Sequence, residues 1–396
     1  MKLVAVTAVA AITGAAAAGQ LTERPLPGGA LHHPAIGYYS RATSDPVAAL
    51  GRRMADGTAT LTFDEDSGYV RSVLDALHVP VESQMLVMSK TGVQGLHTGP
   101  SNPRAIYFTD SITIGYIHGA PLLEFAVHDP LQGVIFYTLD QKPQSPPVFE
   151  RPPSCLRCHQ VYSTLHVPGM IVRSSFVAPD GLPLGQFGSY DQDDRTPFRR
   201  RWGGWYVTGT HGSLRHMGNA IVTTGDDPEQ SISDATLNRT SLDGRFDARS
   251  YPSAHSDIVA LMVFEHQSHM TNLITRAGWE ARMDASRKDT IDELVDYMLF
   301  VNEEPLTTQI KGTSGFAEIF SAQGPFDRRG RSLRQLDLER RLLKYRCSYM
   351  IYSAAFRTLP GDVRQAIYRR TREVLSARDD TAVLEILGET VPDFAS

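Results

Sequence analysis

Five prolines punctuate residues 142–153 (Pro143, Pro146, Pro147, Pro152 and Pro153), and Cys155-Leu-Arg-Cys158-His159 follows at once. Proline removes a backbone donor and clashes with the preceding turn, so no helix runs through this stretch into the cysteines. The motif must be carried on a loop inside a larger fold. Its spacing fits C-x-x-C-H, the pattern that attaches c-type haem. Two thiols three residues apart reach both vinyl groups on one side of a porphyrin. The adjacent imidazole is carried over the ring centre, where it can coordinate iron. This reading gives one covalent haem c, with its iron, held by Cys155 and Cys158 and ligated by His159. Two other readings stay open. A redox dithiol or disulfide lacks the thioredoxin-like βαβ setting. A zinc site needs a fourth ligand and usually a second cysteine pair.

The third cysteine, Cys347, sits among aromatic neighbours in a helical pattern and reads as a buried, inert thiol. At the N-terminus, Lys2 precedes an uncharged run of small and apolar residues, 3–18, in which Ala16 and Ala18 give a small-x-small cleavage pattern. This is the layout of a secretory signal peptide over 1–18. The run is short and alanine-rich for a spanning helix. These features place the mature chain in a bacterial periplasm or outside the cell, with no stable membrane span after signal cleavage. A formal charge of −5 argues against nucleic acid as a partner.

Residues 19–83 read as an irregular lead-in, with a helical period at 66–77. From 84 onward, short β-branched and aromatic runs take over at 84–89, 104–108, 112–117, 123–127 and 133–138, separated by turn residues such as Asn102-Pro103 and His118-Gly119. Connections this short suit antiparallel meanders. Further strands are expected at 170–177, 185–190 and 205–208, then a polar loop at 226–250. Helical periods fill 253 or 256 to about 276, 290–301, 332 to about 356, and 362–377. The fold class is therefore α+β: a strand-rich antiparallel region, 84–250, bearing the haem-attachment loop, and a helical C-terminal third, 251–396.

An iron held by His159 has a second axial position, which Met, His or an open site can occupy. His166 and Met170 follow close behind the motif. His211, His216 and Met217 lie further on, and His266, His269 and Met270 fall on the first C-terminal helix. Val259, Met262, His266, Met270 and Leu273 form one apolar stripe, with His269 on a more polar side beside Glu265, Asn272 and Arg276. His266 and His216 are the leading metal candidates. Trp202 and Trp205 could pack at a haem edge, and Arg157 and Arg173 could pair its propionates.

Several segments are similar to a family of exported bacterial proteins that carry a single cytochrome c-type motif. They are Asn102-Pro-Arg-Ala-Ile-Tyr-Phe108, Gly133-Val-Ile-Phe-Tyr-Thr-Leu139, the cysteine motif, Val167-Pro-Gly169, Arg201-Trp-Gly-Gly-Trp-Tyr-Val-Thr-Gly209, His216-Met-Gly-Asn219 and Glu265-His-Gln267. The resemblance implies a cytochrome c-like protein that binds haem, and names no substrate. The leading expectation is an electron-transfer protein serving a redox partner protein. A haem-dependent, peroxidase-like oxidoreductase, with His216 or His266 doing acid–base work at an open iron, is the alternative. A non-haem protein with a disulfide or metal at the cysteines is the third.

Overall fold

The computed structural model describes residues 21, 24–143, 146–223, 225 and 227–394. The expected signal segment, 1–18, lies outside them. Among the described residues nine strands form: β1 (Met85–Val87), β2 (Arg104–Phe108), β3 (Ile112–Tyr116), β4 (Leu122–Asp129), β5 (Gly133–Asp140), β6 (Phe149–Glu150), β7 (Arg173–Ser174), β8 (Tyr190–Asp191) and β9 (Trp205–Tyr206). Seven of them make one antiparallel sheet in the order β6-β5-β4-β3-β2-β1-β9, and β7 pairs with β8. The long β4–β5 hairpin turns where Asp129 Oδ1 accepts from Leu131 and Gln132 N (2.9 and 3.0 Å) and Gly133 takes φ 80°. A side-chain oxygen folding back on the next amides is what an Asx turn supplies.

Alternation along the strands splits the sheet into two faces. Ala105, Tyr107, Ile114, Phe125 and Tyr137 point to one core, which packs against helices Pro46–Ala55 and Val70–Ala76. Met85, Val87, Ile106 and Phe108 point to the other, which packs against a 25-residue helix, Ile258–Arg282. Asp257 caps that helix: its Oδ1 accepts from Val259 and Ala260 N (2.8 and 3.2 Å), and its Oδ2 ties down Thr313 and Ser314 N (2.7 and 2.8 Å). The helix is capped by Asp257, not by Ser253 or Ser256, and runs past 276 to Arg282. The α+β class holds, with the antiparallel sheet in the N-terminal half and a helical C-terminal part.

Other expected elements differ. Residues 332–356 are not one helix. Asp337 Oδ1 accepts from Glu339 and Arg340 N (3.0 and 2.7 Å), and Leu338 takes φ 58°. Ser348 and Ser353 then cap two separate short turns, Tyr349–Tyr352 and Ala354–Arg357. Polar side chains here capture the amides a continuous helix would use. Cys347 is fully buried as expected, but in this irregular stretch. The strands at 170–177 and 185–190 shrink to the β7–β8 pair. Helices Pro46–Ala55, Phe316–Ala322 and Thr381–Thr390 were not foreseen.

Candidate functional site

A 3-10 turn, Pro153–Cys155, runs into a single helical turn, Leu156–His159. Pro153 opens the 3-10 turn and no proline falls in the helical turn, so the motif does sit on a short mount between strand and loop. Leu156 is buried in the sheet-side core and pins the turn. Positions i, i+3 and i+4 of a helical turn share a face, so Cys155, Cys158 and His159 point the same way. All three line one open cleft of about 1030 Å³ of empty space. Both cysteines are free thiols, Cys155 half-buried and Cys158 exposed.

The cleft floor is the sheet. Ile106, Gly115, Glu124 and Thr138 stand opposite one another across β2 to β5, and Thr113, Ala126 and Phe136 form the next row. The middle of this floor is made of Thr113, Gly115 and Ala126, side chains too short to fill the space above them. A flat, apolar-edged group fits such a floor, so the residues present suit a porphyrin.

His159 is oriented by a carbonyl. Its Nδ1 lies 3.0 Å from Gly169 O. A carbonyl only accepts, so Nδ1 carries the proton and Nε2 keeps its lone pair. Fixing the tautomer through the other nitrogen is how proteins present a metal-ligating imidazole. Burial lowers the His159 pKa, which keeps the ring neutral, and the ring leans on Phe136 with centroids 4.7 Å apart. Gly169 N donates in turn to His159 O (2.9 Å), so loop and histidine clamp each other.

The long helix holds that loop. Asn272 Nδ2 donates to Met170 O (2.8 Å), and Met170 N donates to Asn272 Oδ1 (3.0 Å). Arg276 Nη1 donates to Leu165 O (3.2 Å). Gly169 is required by this packing, because a Cβ there would fall 2.1 Å from Asn272 Oδ1. Gly169, Asn272 and Arg276 were not read from the sequence as site residues. The available signal was the polar side of the helix, which is buried rather than solvated: Asn272 and Arg276 are at most 1% exposed.

Arg104 and Glu124 bring charge to the cleft. Arg104 Nε lies 3.9 Å from Glu124 Oε2 and has no hydrogen-bond partner among the described residues, while Nη2 donates to Thr91 O. Arg157 is exposed at the rim. Arg173 is spent on Asp191 (2.8 Å) beside the β7–β8 pair.

The two leading distal candidates are corrected. His266 is fully buried, with Nδ1 3.1 Å from Asp194 Oδ2 and Nε2 2.7 Å from Ser348 Oγ. His216 has Nδ1 accepting from Gly218 N (3.0 Å) and Nε2 3.1 Å from His211 Nε2. Neither has a free nitrogen for iron, and neither lines the cleft, so the acid–base role suggested for them there has no geometry. His266 completes an Asp–His–Ser array with Asp194 and Ser348, but both His266 and Ser348 are sealed in the core. His166, His211, His269, Met217 and Met270 also lie outside the cleft lining; Met170 is the one distal candidate inside it. Trp202 packs in the core against Phe198 and His216, and Trp205 Nε1 donates to Arg173 O.

No family model, curated protein or solved structure matches the chain. Among the described residues, no group of three or more His, Cys, Asp or Glu is arranged to hold a metal ion by itself. No described helix is long and apolar enough to cross a membrane.

Proposed function

We propose that the chain binds one haem c covalently through Cys155 and Cys158, with His159 as an axial ligand to its iron, and acts in electron transfer with a redox partner protein outside the cytoplasm of a bacterium. The observation that carries this is the His159 hydrogen bond to Gly169 O, which leaves Nε2 unprotonated beside two free thiols and over a floor of short side chains. A bound haem would supply a one-electron couple there. The chain's own residues orient the imidazole and set charge through Arg104 and Glu124. The segment layout at 1–18 and the resemblance of the quoted motifs support the same reading.

A second reading, a haem-dependent oxidoreductase, draws on the Arg104–Glu124 pair, a fixed cation and a carboxylate that could hydrogen-bond a small molecule in a cleft whose lining offers only Met170 as a further soft ligand. Added cyanide separates the two: a spectrum that ignores it favours a carrier, and a shifted one favours the enzyme. The central experiment is a pyridine haemochrome spectrum after acid–acetone extraction, on protein expressed with its leader and a haem-attachment system. Haem retained by the wild type and lost from the Cys155→Ala, Cys158→Ala double variant is expected. A colourless product, in a host that matures another c-type cytochrome, would overturn the proposal.

A further inference from the structure

Behind Met170 lies a second cavity, of about 870 Å³ of empty space, between the β7–β8 pair and the long helix. Met170 lines both cavities. The walls are largely apolar, with Leu165, Val172, Leu273 and the Met170 thioether. Three polar side chains in the lining are at least nine-tenths buried, and each has an atom without a protein partner: Gln192 Nε2, Ser268 Oγ and Glu293 Oε2. Burying such groups without a partner is unfavourable, so their gathering on one cavity needs an account.

Their chemistry is fixed by their other contacts. Gln192 Oε1 accepts from Trp202 N (2.6 Å), which leaves its amide NH2 as the spare group. Glu293 Oε1 takes Arg195 Nη1 (2.6 Å), leaving Oε2 spare. Burial pushes the Glu293 pKa up to about 7, so this carboxyl accepts or donates near neutrality. Asp191 and Asp193 also line the cavity; burial lowers the pKa of the lining His269, which favours its neutral form, and Arg173 and Arg195 are paired with Asp191 and Glu293. An anion would meet carboxylates with no free cation, which disfavours it. A sulfur wall favours aromatic rings.

We infer that this cavity is a binding site for a small neutral hydroxylated aromatic molecule of the phenol or catechol class, its hydroxyls met by Gln192, Ser268 and Glu293 and its ring by Met170 and the aliphatic wall. A hydroxyl both gives and takes a hydrogen bond, so it answers a spare NH2 and a spare carboxyl oxygen at once.

The test is isothermal titration of the full chain with catechol, with benzoate as the anionic control. Saturable catechol binding is expected, with benzoate far weaker. Ser268→Ala removes one hydroxyl without disturbing a known contact and should weaken catechol about fivefold. Because none of these groups belongs to the cysteine turn, the Cys155→Ala, Cys158→Ala variant should still bind catechol, which separates this inference from the haem proposal. No saturable binding to the wild type, equal binding of benzoate, or an unchanged affinity in Ser268→Ala would each overturn it.

Discussion

Gly169→Ala should destabilise the protein through one identifiable collision. The residue's φ is not in the left-handed region, so alanine meets no backbone penalty, and the effect comes from space. The added Cβ would stand 2.1 Å from Asn272 Oδ1 and 2.8 Å from its Cγ. Asn272 cannot yield freely, because it holds both the N–H and the C=O of Met170 (3.0 and 2.8 Å). Overpacking of this kind costs about 1–3 kcal/mol, and a lost hydrogen bond adds about 1 kcal/mol, so a loss of roughly 2–4 kcal/mol is expected. Asn272→Ala alone should cost about 2 kcal/mol by stripping Met170 of both partners. The double variant removes the obstacle and should cost little more than Asn272→Ala, a coupling of about 2 kcal/mol. Urea unfolding of the four proteins at one pH gives the cycle. A Gly169→Ala loss under about 0.5 kcal/mol, or costs that simply add in the double variant, would refute the clamp.

Three further outcomes are expected. Asp257→Ala strips the long helix of its cap and frees the Thr313 and Ser314 amides; a loss of about 2–4 kcal/mol in urea unfolding is expected, and a loss below 1 would contradict the capping role. His216 is held neutral by burial and by His211, its pKa well below the ordinary value. The unfolded chain takes up that proton near pH 6.5, so this stability is present above that pH and lost as pH falls below it, by up to about 1.4 kcal/mol per pH unit; His216→Gln should flatten the pH 7 to 5 dependence, and identical slopes would exclude the pair as its cause. In haem-loaded protein, Arg104→Gln removes a cation beside the cleft and should lower the reduction potential on the order of 50 mV, about 1 kcal/mol of one-electron work; an unchanged potential in redox titration would place Arg104 away from the group.

Strands β2 to β5 were legible because each is short, β-branched or aromatic, and closed by turn residues; their antiparallel pairing followed from the loop lengths. The cysteine turn was legible because five residues encode it locally. What failed was inference from helical periodicity over 332–356, where Asp337, Ser348 and Ser353 spend their side chains on nearby amides. A period scored on hydrophobicity does not register that competition. The distal histidines failed for a related reason. The apolar stripe correctly sent His266 inward, yet inward on this helix leads to Asp194, Tyr297 and Ser348, not to the cleft.

The long helix shows why the polar positions were the informative ones. Isolated on a wheel, Asn272 and Arg276 look like the solvated side of an amphipathic helix. In the fold that side meets the largely buried loop at 165–170, whose backbone has no partner strand. A buried irregular loop must satisfy its amides somewhere, and an aliphatic helix face would leave Met170 and Leu165 unpaired. Asn272 and Arg276 satisfy them, and in doing so fix the position of the Gly169 carbonyl that selects the His159 tautomer. The chemistry of the site is thus encoded twice. One part is the five-residue motif. The other is a pair of polar residues more than a hundred positions away, whose role emerges only once the helix is laid against the loop.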